Sequence, residues 1–457
     1  MNKTIGNKKI ISVLLGLILL VGCEKKEWPT EPPDLTRPTV MSTNPEDGSL
    51  MNPINEPITV VFSEAMNLAT ISELTTVADG HGNDVAGTWS GSDGTYKFTP
   101  QAAFSKLSFY KVTMKGAFNS EGEWLGPGVR DNNGNSLENE TSFSFSTEGN
   151  YGKSPLFLGV GGDNGGIFAY VENLHVSELD NYPGEGIQTP AINPSGSKVY
   201  VASSDNNKVF VIDVASHSIS AEISLPDGVE GPRTLAVSPN GNEVWVACNG
   251  SMDLVVINTS NNLVEEVISL ADYAEDVHSI AINHAGSKAY ITTNWDQGVI
   301  VVDISNRTVL KYIEGVATVE SATELTVSPD DSKIIVFLAW AEEEIAVIDV
   351  ATDEITYMSL DSGGDGWMTD VEGEYIYANG RFNGNVYKIK MSDMSVAAEI
   401  NFEETEYKGI AVDTEGEVVY VIAPYYHDEG AVLIFAASDL TYLGSIPAGN
   451  YRHIVTP

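Results

Sequence analysis

The chain has 457 residues, 42% of them apolar, with 64 acidic residues against 24 basic and a net charge of −40 at pH 7. A protein this acidic repels phosphate backbones and anionic lipid heads, which argues against nucleic acid as a partner. The acids are spread through loops and strand ends, a pattern that serves solubility and does not form an acidic tail.

Residues 1–22 carry Lys3, Lys8 and Lys9, then an apolar run from Ile10 to Val21 too short to span a bilayer, then Gly22 before Cys23. This resembles a bacterial lipoprotein signal. The resemblance implies cleavage before Cys23, lipidation of Cys23 and attachment to the membrane through that lipid. The outer membrane is the implied location, with display at the cell surface left open. Loss of the three signal lysines leaves 21 basic and 64 acidic residues, a net charge of −43. Once Cys23 is acylated, Cys248 has no disulfide partner, and "VWVACNG" places it in an apolar strand as a buried, inert thiol. Residues 23–37 include Pro29, Pro32 and Pro33 and read as an extended tether of ~40 Å at ~3.1 Å per residue.

Residues 38–148 change to short alternating strands, "ITVVFSEAM", "GTYKFTP", "SFYKVTMKG" and "TSFSFST", separated by turn clusters such as "NPEDGS" and "DNNGNS". Strands at this spacing predict a β-sandwich. The opening "PTVMSTNPEDGS", the strand "FSEAM", the turn "DNNGN" and the closing "FSFST" resemble the SbsA-type bacterial Ig-like domain, which implies a spacer. Asp131-Asn132-Asn133-Gly134-Asn135 is rich in oxygen ligands, but its glycine is misplaced for an EF-hand loop and a tight turn explains the same residues.

From residue 152 to 457 the chain repeats. Gly196, Gly241, Gly286 and Asp331 stand 45 residues apart, and Gly373 and Gly416 follow after 42 and 43 more. Four positions after each lies Tyr200, Trp245, Tyr290, Ile335, Tyr377 or Tyr420. A period of about 40 to 45 with four short strands, A to D, is the mark of a β-propeller blade. "NPSGSKVYVASSDNNKVFVIDVASHSISAEISL" resembles the unit of the YVTN, or YncE-like, seven-bladed propellers. Lys390 and Phe435 depart from that pattern, replacing the aspartate of "VID". Residues 155–179 supply strands B to D without a strand A, and the terminal "NYRHIVTP" supplies a strand A without its blade. Joining them predicts a closed seventh blade. The fold class is therefore all-β, an Ig-like sandwich followed by a seven-bladed propeller.

In such propellers the loops before strand A and the B–C loops open on one face, around the central channel. Gln188, Arg233, His278, Thr323, Trp367, Lys408, and Tyr451 with Arg452 hold the first position; Asp205, Gly250, Trp295, Trp340, Phe382 and Tyr425 hold the second. The aromatics have two readings. They wedge between blades, or they stack on a flat or ring-shaped ligand whose polar groups meet Arg233, His278, Lys408 and Arg452. The predicted ligand-binding set is Arg233, His278, Trp295, Trp340, Trp367, Phe382, Lys408, Tyr425, Tyr451 and Arg452.

No G-x-S-x-G elbow, paired-Cys zinc signature or P-loop is present, and the histidines lack close metal-ligand spacing. The rim also lacks the carboxylates of metal-dependent lactonase propellers, only Glu324 and Asp365 lying near. No catalytic residue, metal or cofactor is expected. Some YncE-like surface lipoproteins capture cobalamin for an outer-membrane transporter, so the resemblance implies binding of a cobalamin-like small molecule and hand-over to such a transporter. A structural or adhesive protein that binds a glycan or protein partner is the alternative reading, and a lactonase-type hydrolase the third.

Overall fold

The computed structural model describes residues 34–455 apart from 120, 150–155, 160–167, 173–174, 179–189, 294, 318–321, 339–344, 361–366, 381–383, 403–406, 414–416, 424–429 and 449–452. The signal segment, Cys23 and most of the tether lie outside the described residues. The described chain is all-β, and none of its helices is long and apolar enough to cross a membrane.

The first domain packs two four-stranded sheets face to face. One runs Val40–Asn44, Ile58–Phe62, Thr95–Pro100, Gly87–Ser92, and the other Ser49–Asn52, Thr141–Thr147, Phe109–Met114, Thr75–Asp79. Alternation drives the packing: in Ile58–Phe62 every second residue is buried, and Val60, Phe98, Val112 and Phe143 meet in one core. Tyr96 anchors the "FSEAM" strand end, its hydroxyl accepting from Met66 N at 2.8 Å and donating to Met66 O at 2.7 Å. A helix not anticipated from the strand pattern follows at Leu68–Leu74, started by Asn67, whose side chain accepts from Ala69 N. Asp131 closes its turn as a tight loop does: Oδ1 accepts from the backbone of Asn133 and Asn135, both at 2.8 Å.

Seven four-stranded sheets follow among the described residues. Blade 1 is the split one: His453–Val455 pairs antiparallel with Leu156–Gly159, ahead of Phe168–Glu172 and His175–Glu178. Blades 2 to 7 each run A to D in sequence order, and their A strands lie side by side around the axis. The repeated anchors Tyr200, Trp245 and Tyr290 are fully buried and join clusters with the B strand of the following blade. They are the inter-blade mortar, each worth ~3 kcal/mol or more against alanine.

The repeat's polar residues are turn makers. Gly196, Gly241 and Gly286 have φ of 66°, 73° and 65°, and Asp331 adopts 58° in their place. Asp331 is compensated across the blade boundary. Where earlier blades have a proline, blade 4 has His284, and Asp331 accepts from His284 N at 2.8 Å and Ala285 N at 2.9 Å. The "VID" aspartates end strand C by accepting from the C–D turn: Asp213 from Ser216 N, Asp303 from Asn306 N, Asp349 from Thr352 N. Lys390 breaks that pattern, and in blade 7 the register places Ala436 at the aspartate position, one residue after the expected Phe435; in both blades an acid within the turn takes over, Asp393 accepting from Ser395 N and Asp439 from Thr441 N.

The two domains touch along the outer strand of blade 7, Tyr442–Pro447. Leu50 and Leu107 pack against its core cluster, Phe109 meets Tyr442 with ring centroids 5.9 Å apart, and Ser146 Oγ donates to Leu443 O. Gly444 has φ 149°, and a Cβ there would strike Leu50 at 2.3 Å. The Ig-like domain therefore covers a sheet edge of the propeller.

Candidate functional site

The A strands do not begin regularly. In blade 3 the pairing jumps from Pro232↔Cys248 to Thr234↔Ala247, leaving Arg233 as the extra residue of a bulge. In blade 5 it jumps from Ala322↔Leu338 to Leu325↔Val336, which frees Thr323 and Glu324. In blade 4 both His278 and Ser279 face Thr292: His278 N donates to Thr292 O at 2.9 Å and Ser279 N to Thr292 Oγ1 at 2.9 Å. In blade 7, Lys408 N donates to Ile422 O although Ile422 is already paired with Gly409. A bulge adds a residue and re-aims its side chain, and these irregularities stand at the same end of the A strands, where Arg233, Ser279 and Glu324 come together.

Three blades contribute to one electrostatic group. Ser279 Oγ donates to Glu324 Oε2 at 3.1 Å. Glu324 as a residue is partly exposed, yet its carboxyl is ringed by protein, and that burial pushes its pKa up to about 7 against the opposing pull of Ser279 and Arg233. Arg233 is partly buried; burial pulls its pKa down while the carboxylates of Asp276 and Glu324 hold it up. No hydrogen bond or ion pair to Arg233's guanidinium is made among the described residues. Its donors are available to a ligand. Asp276, itself buried, is fixed by Trp295 N donating to its Oδ1 at 2.9 Å, so the loop before strand A and the B–C loop meet on one face.

Trp295 is 59% exposed, which removes it from the wedge reading and leaves an indole standing at the rim. Gly250 occupies the matching loop position of blade 3 because a Cβ there would sit 2.8 Å from the backbone of Glu230. Trp367 is not loop-borne as expected: it opens the A strand of blade 6, paired with Gly380 in an unbroken register. Trp340, Phe382, Tyr425, Tyr451 and Arg452 lie outside the described residues. His278 and Lys408 are partly buried. Sequence reasoning did not single out Asp276 and Ser279. Their only signal was the polar tract "EDVHS" ahead of an apolar strand.

Elsewhere, Cys248 is fully buried, its thiol pushed up to about 12 by burial and by Asp253, as inert as its strand implied. In the Ig-like domain, ligand atoms of Asp34, Glu64 and Asp131 lie within 4.8 Å of one another, and burial together with the charges of Asp131 and Asp34 raises the Glu64 pKa. Both Asp131 oxygens there are engaged by the turn.

Residues 34–147 match the model of a bacterial Ig-like domain, a domain typical of extracellular or surface-exposed proteins. Among solved structures, the fold is similar to hydrazine synthase of Kuenenia stuttgartiensis (17% identity, 59% of this chain and 89% of that one, TM-score 0.50). It is also similar to the RRP9 WD40 repeats (13%, 63% and 88%, TM-score 0.53). A functionally unknown protein from Desulfotomaculum acetoxidans DSM 771 aligns at 12% identity over 66% of this chain and 98% of its own, TM-score 0.53. At these identities the likeness is one of fold. No curated protein matches the chain. An Ig-like domain joined to a propeller fits a surface or binding protein, and no enzyme family model matches, although the structural neighbours include enzymes.

Proposed function

We propose that the protein is a surface binding protein that takes a small molecule at the propeller's channel mouth. The observation that carries this reading is Arg233, held at a bulge in the channel with no hydrogen-bond partner among the described residues, beside the Ser279–Glu324 pair. Such a guanidinium is pre-organised and loses little on meeting a carboxylate, phosphate or amide oxygen. Glu324, near its titration point at pH 7, can accept or donate a hydrogen bond, and Trp295 offers a face for a ring.

The resemblance to YncE-like lipoproteins specifies the reading further. Lipidation of Cys23 would hold the chain at the outer membrane, and the captured molecule, a cobalamin-like nutrient, would pass to an outer-membrane transporter. Cyanocobalamin titrated into the full chain by calorimetry tests this: micromolar or tighter binding supports nutrient capture. Absence of binding at millimolar ligand contradicts it.

A hydrolase reading has one specific observation in its favour, the Ser279 hydroxyl donating to a carboxyl with a raised pKa, the geometry a general base requires. Turnover of ester or lactone substrates that disappears in Glu324→Gln would favour the enzyme. No turnover favours the binder.

A further inference from the structure

A second site stands apart from the channel, on the Ig-like domain. A cavity of about 430 Å³ is walled by Leu35, Arg37, Trp124, Arg130, Asn135 and Ser136, within the range of small-ligand clefts. Trp124 is 71% exposed and Leu35 79%, in a domain whose other large rings are mostly in the core. The indole is not on a loose loop. Its segment pairs back on Phe118, Asn119 Oδ1 accepts from Glu121 N and Glu123 N, and Leu125 N donates to Ala117 O at 2.8 Å.

Two arginines share the cavity. Among the described residues, the Arg37 side chain makes only a long bond, from Nη1 to Ser136 O, 3.4 Å. Among the described residues, Arg130 Nε is enclosed by protein without a hydrogen-bond partner, and neither guanidinium joins an ion pair. In a chain with 64 acids and 24 bases, unpaired arginines side by side are unexpected. The neighbouring carboxylates are turned to amides instead. Asp34 accepts from Thr36 N and Asn133 Nδ2, Glu123 from Asn119 Nδ2, and Asp131 from Asn133 and Asn135. The two guanidiniums therefore keep donors for a ligand in the cavity, beside a flat apolar ring.

We propose that this cavity binds an acidic saccharide, with one pyranose ring stacked on Trp124 and its carboxylate or sulfate held by Arg37 and Arg130. A sugar ring presents an apolar face of C–H groups to an indole, and trigonal or tetrahedral oxyanions fit the guanidinium fork. The concave shape favours a ring over a flat membrane surface.

The test is calorimetry on the full chain with a tetragalacturonate, a heparin-derived tetrasaccharide, neutral cellotetraose, and phosphatidylglycerol vesicles. At least one acidic tetrasaccharide should bind, the galacturonate if the anion read is a carboxylate and the heparin fragment if it is a sulfate. Trp124→Ala and Arg37→Gln, both at exposed residues, should each weaken it roughly tenfold or more with an unchanged melting temperature. Arg130→Gln should do the same, and Arg233→Gln in the channel should leave this binding intact. The proposal is overturned if neither acidic sugar binds at millimolar concentration, if cellotetraose binds equally well, or if Trp124 governs vesicle binding instead.

Discussion

The blade bodies and the channel rim of this propeller follow different rules. In the bodies, strands B and C are nearly continuous apolar runs, and Tyr200, Trp245 and Tyr290 recur at a fixed spacing because every inter-blade gap has the same shape. At the rim, blades 3, 4 and 5 carry Arg233, His278–Ser279 and Thr323–Glu324 at the same bulged place, with no chemistry in common. Repetition marks what holds the ring together. Departure from repetition marks what the ring presents to solvent.

The largest expected effect lies in the bodies. Deleting residues 449–457 removes His453–Val455 with the buried side chain of Ile454 and reopens the edge of Leu156–Gly159, so several kcal/mol of stability should be lost in calorimetric unfolding. An unchanged melting temperature would break the claim that closure depends on that strand.

At the rim, Glu324→Gln should stabilise the protein at pH 8. The folded-state pKa is raised, to about 7 from 4.5, so the native state binds more protons than the unfolded one between those values. Stability contributed by this site therefore falls as pH rises through that window and stays low above it. The substitution should recover at most about 3 kcal/mol at pH 8 and nearly nothing at pH 4. Denaturant unfolding of both proteins at the two pH values checks the sign. A penalty in place of a gain would mean that ionised Glu324 is well compensated and belongs to the structural body.

Asp331→Ala should cost about 1–2 kcal/mol, since three bonds to the His284 turn lose their acceptor. The smallest stability effect belongs to Trp295→Ala, within about 0.5 kcal/mol for so exposed a ring, measured by the same unfolding curves. A large loss there would restore the wedge reading for that residue.

The bodies were legible in the sequence because their cause is local and periodic. The split blade could be inferred from one missing and one orphan strand A, and His453–Val455 pairs as that inference required. The Ig-like strands were legible for the same reason, while helix Leu68–Leu74 was not, its length of two turns giving too little periodicity. Arg233, His278 and Lys408 could be named from their position before strand A. Asp276 and Ser279 could not, because their roles depend on bulges that only the paired neighbour defines. The domain junction left a faint trace. Outer strands such as "SISAEIS" alternate with solvent, whereas "YLGSIP" buries Leu443, Gly444 and Ile446.

The measurement that bears most directly on the channel mouth is the affinity of the full chain for cyanocobalamin in wild type and Arg233→Gln at pH 7, with melting temperatures recorded for both. The account predicts binding that Arg233→Gln weakens about tenfold or more while the melting temperature holds, because among the described residues the guanidinium makes no hydrogen bond or ion pair that the substitution would break. Equal affinity in both proteins, or a loss of binding matched by a loss of fold, would contradict it.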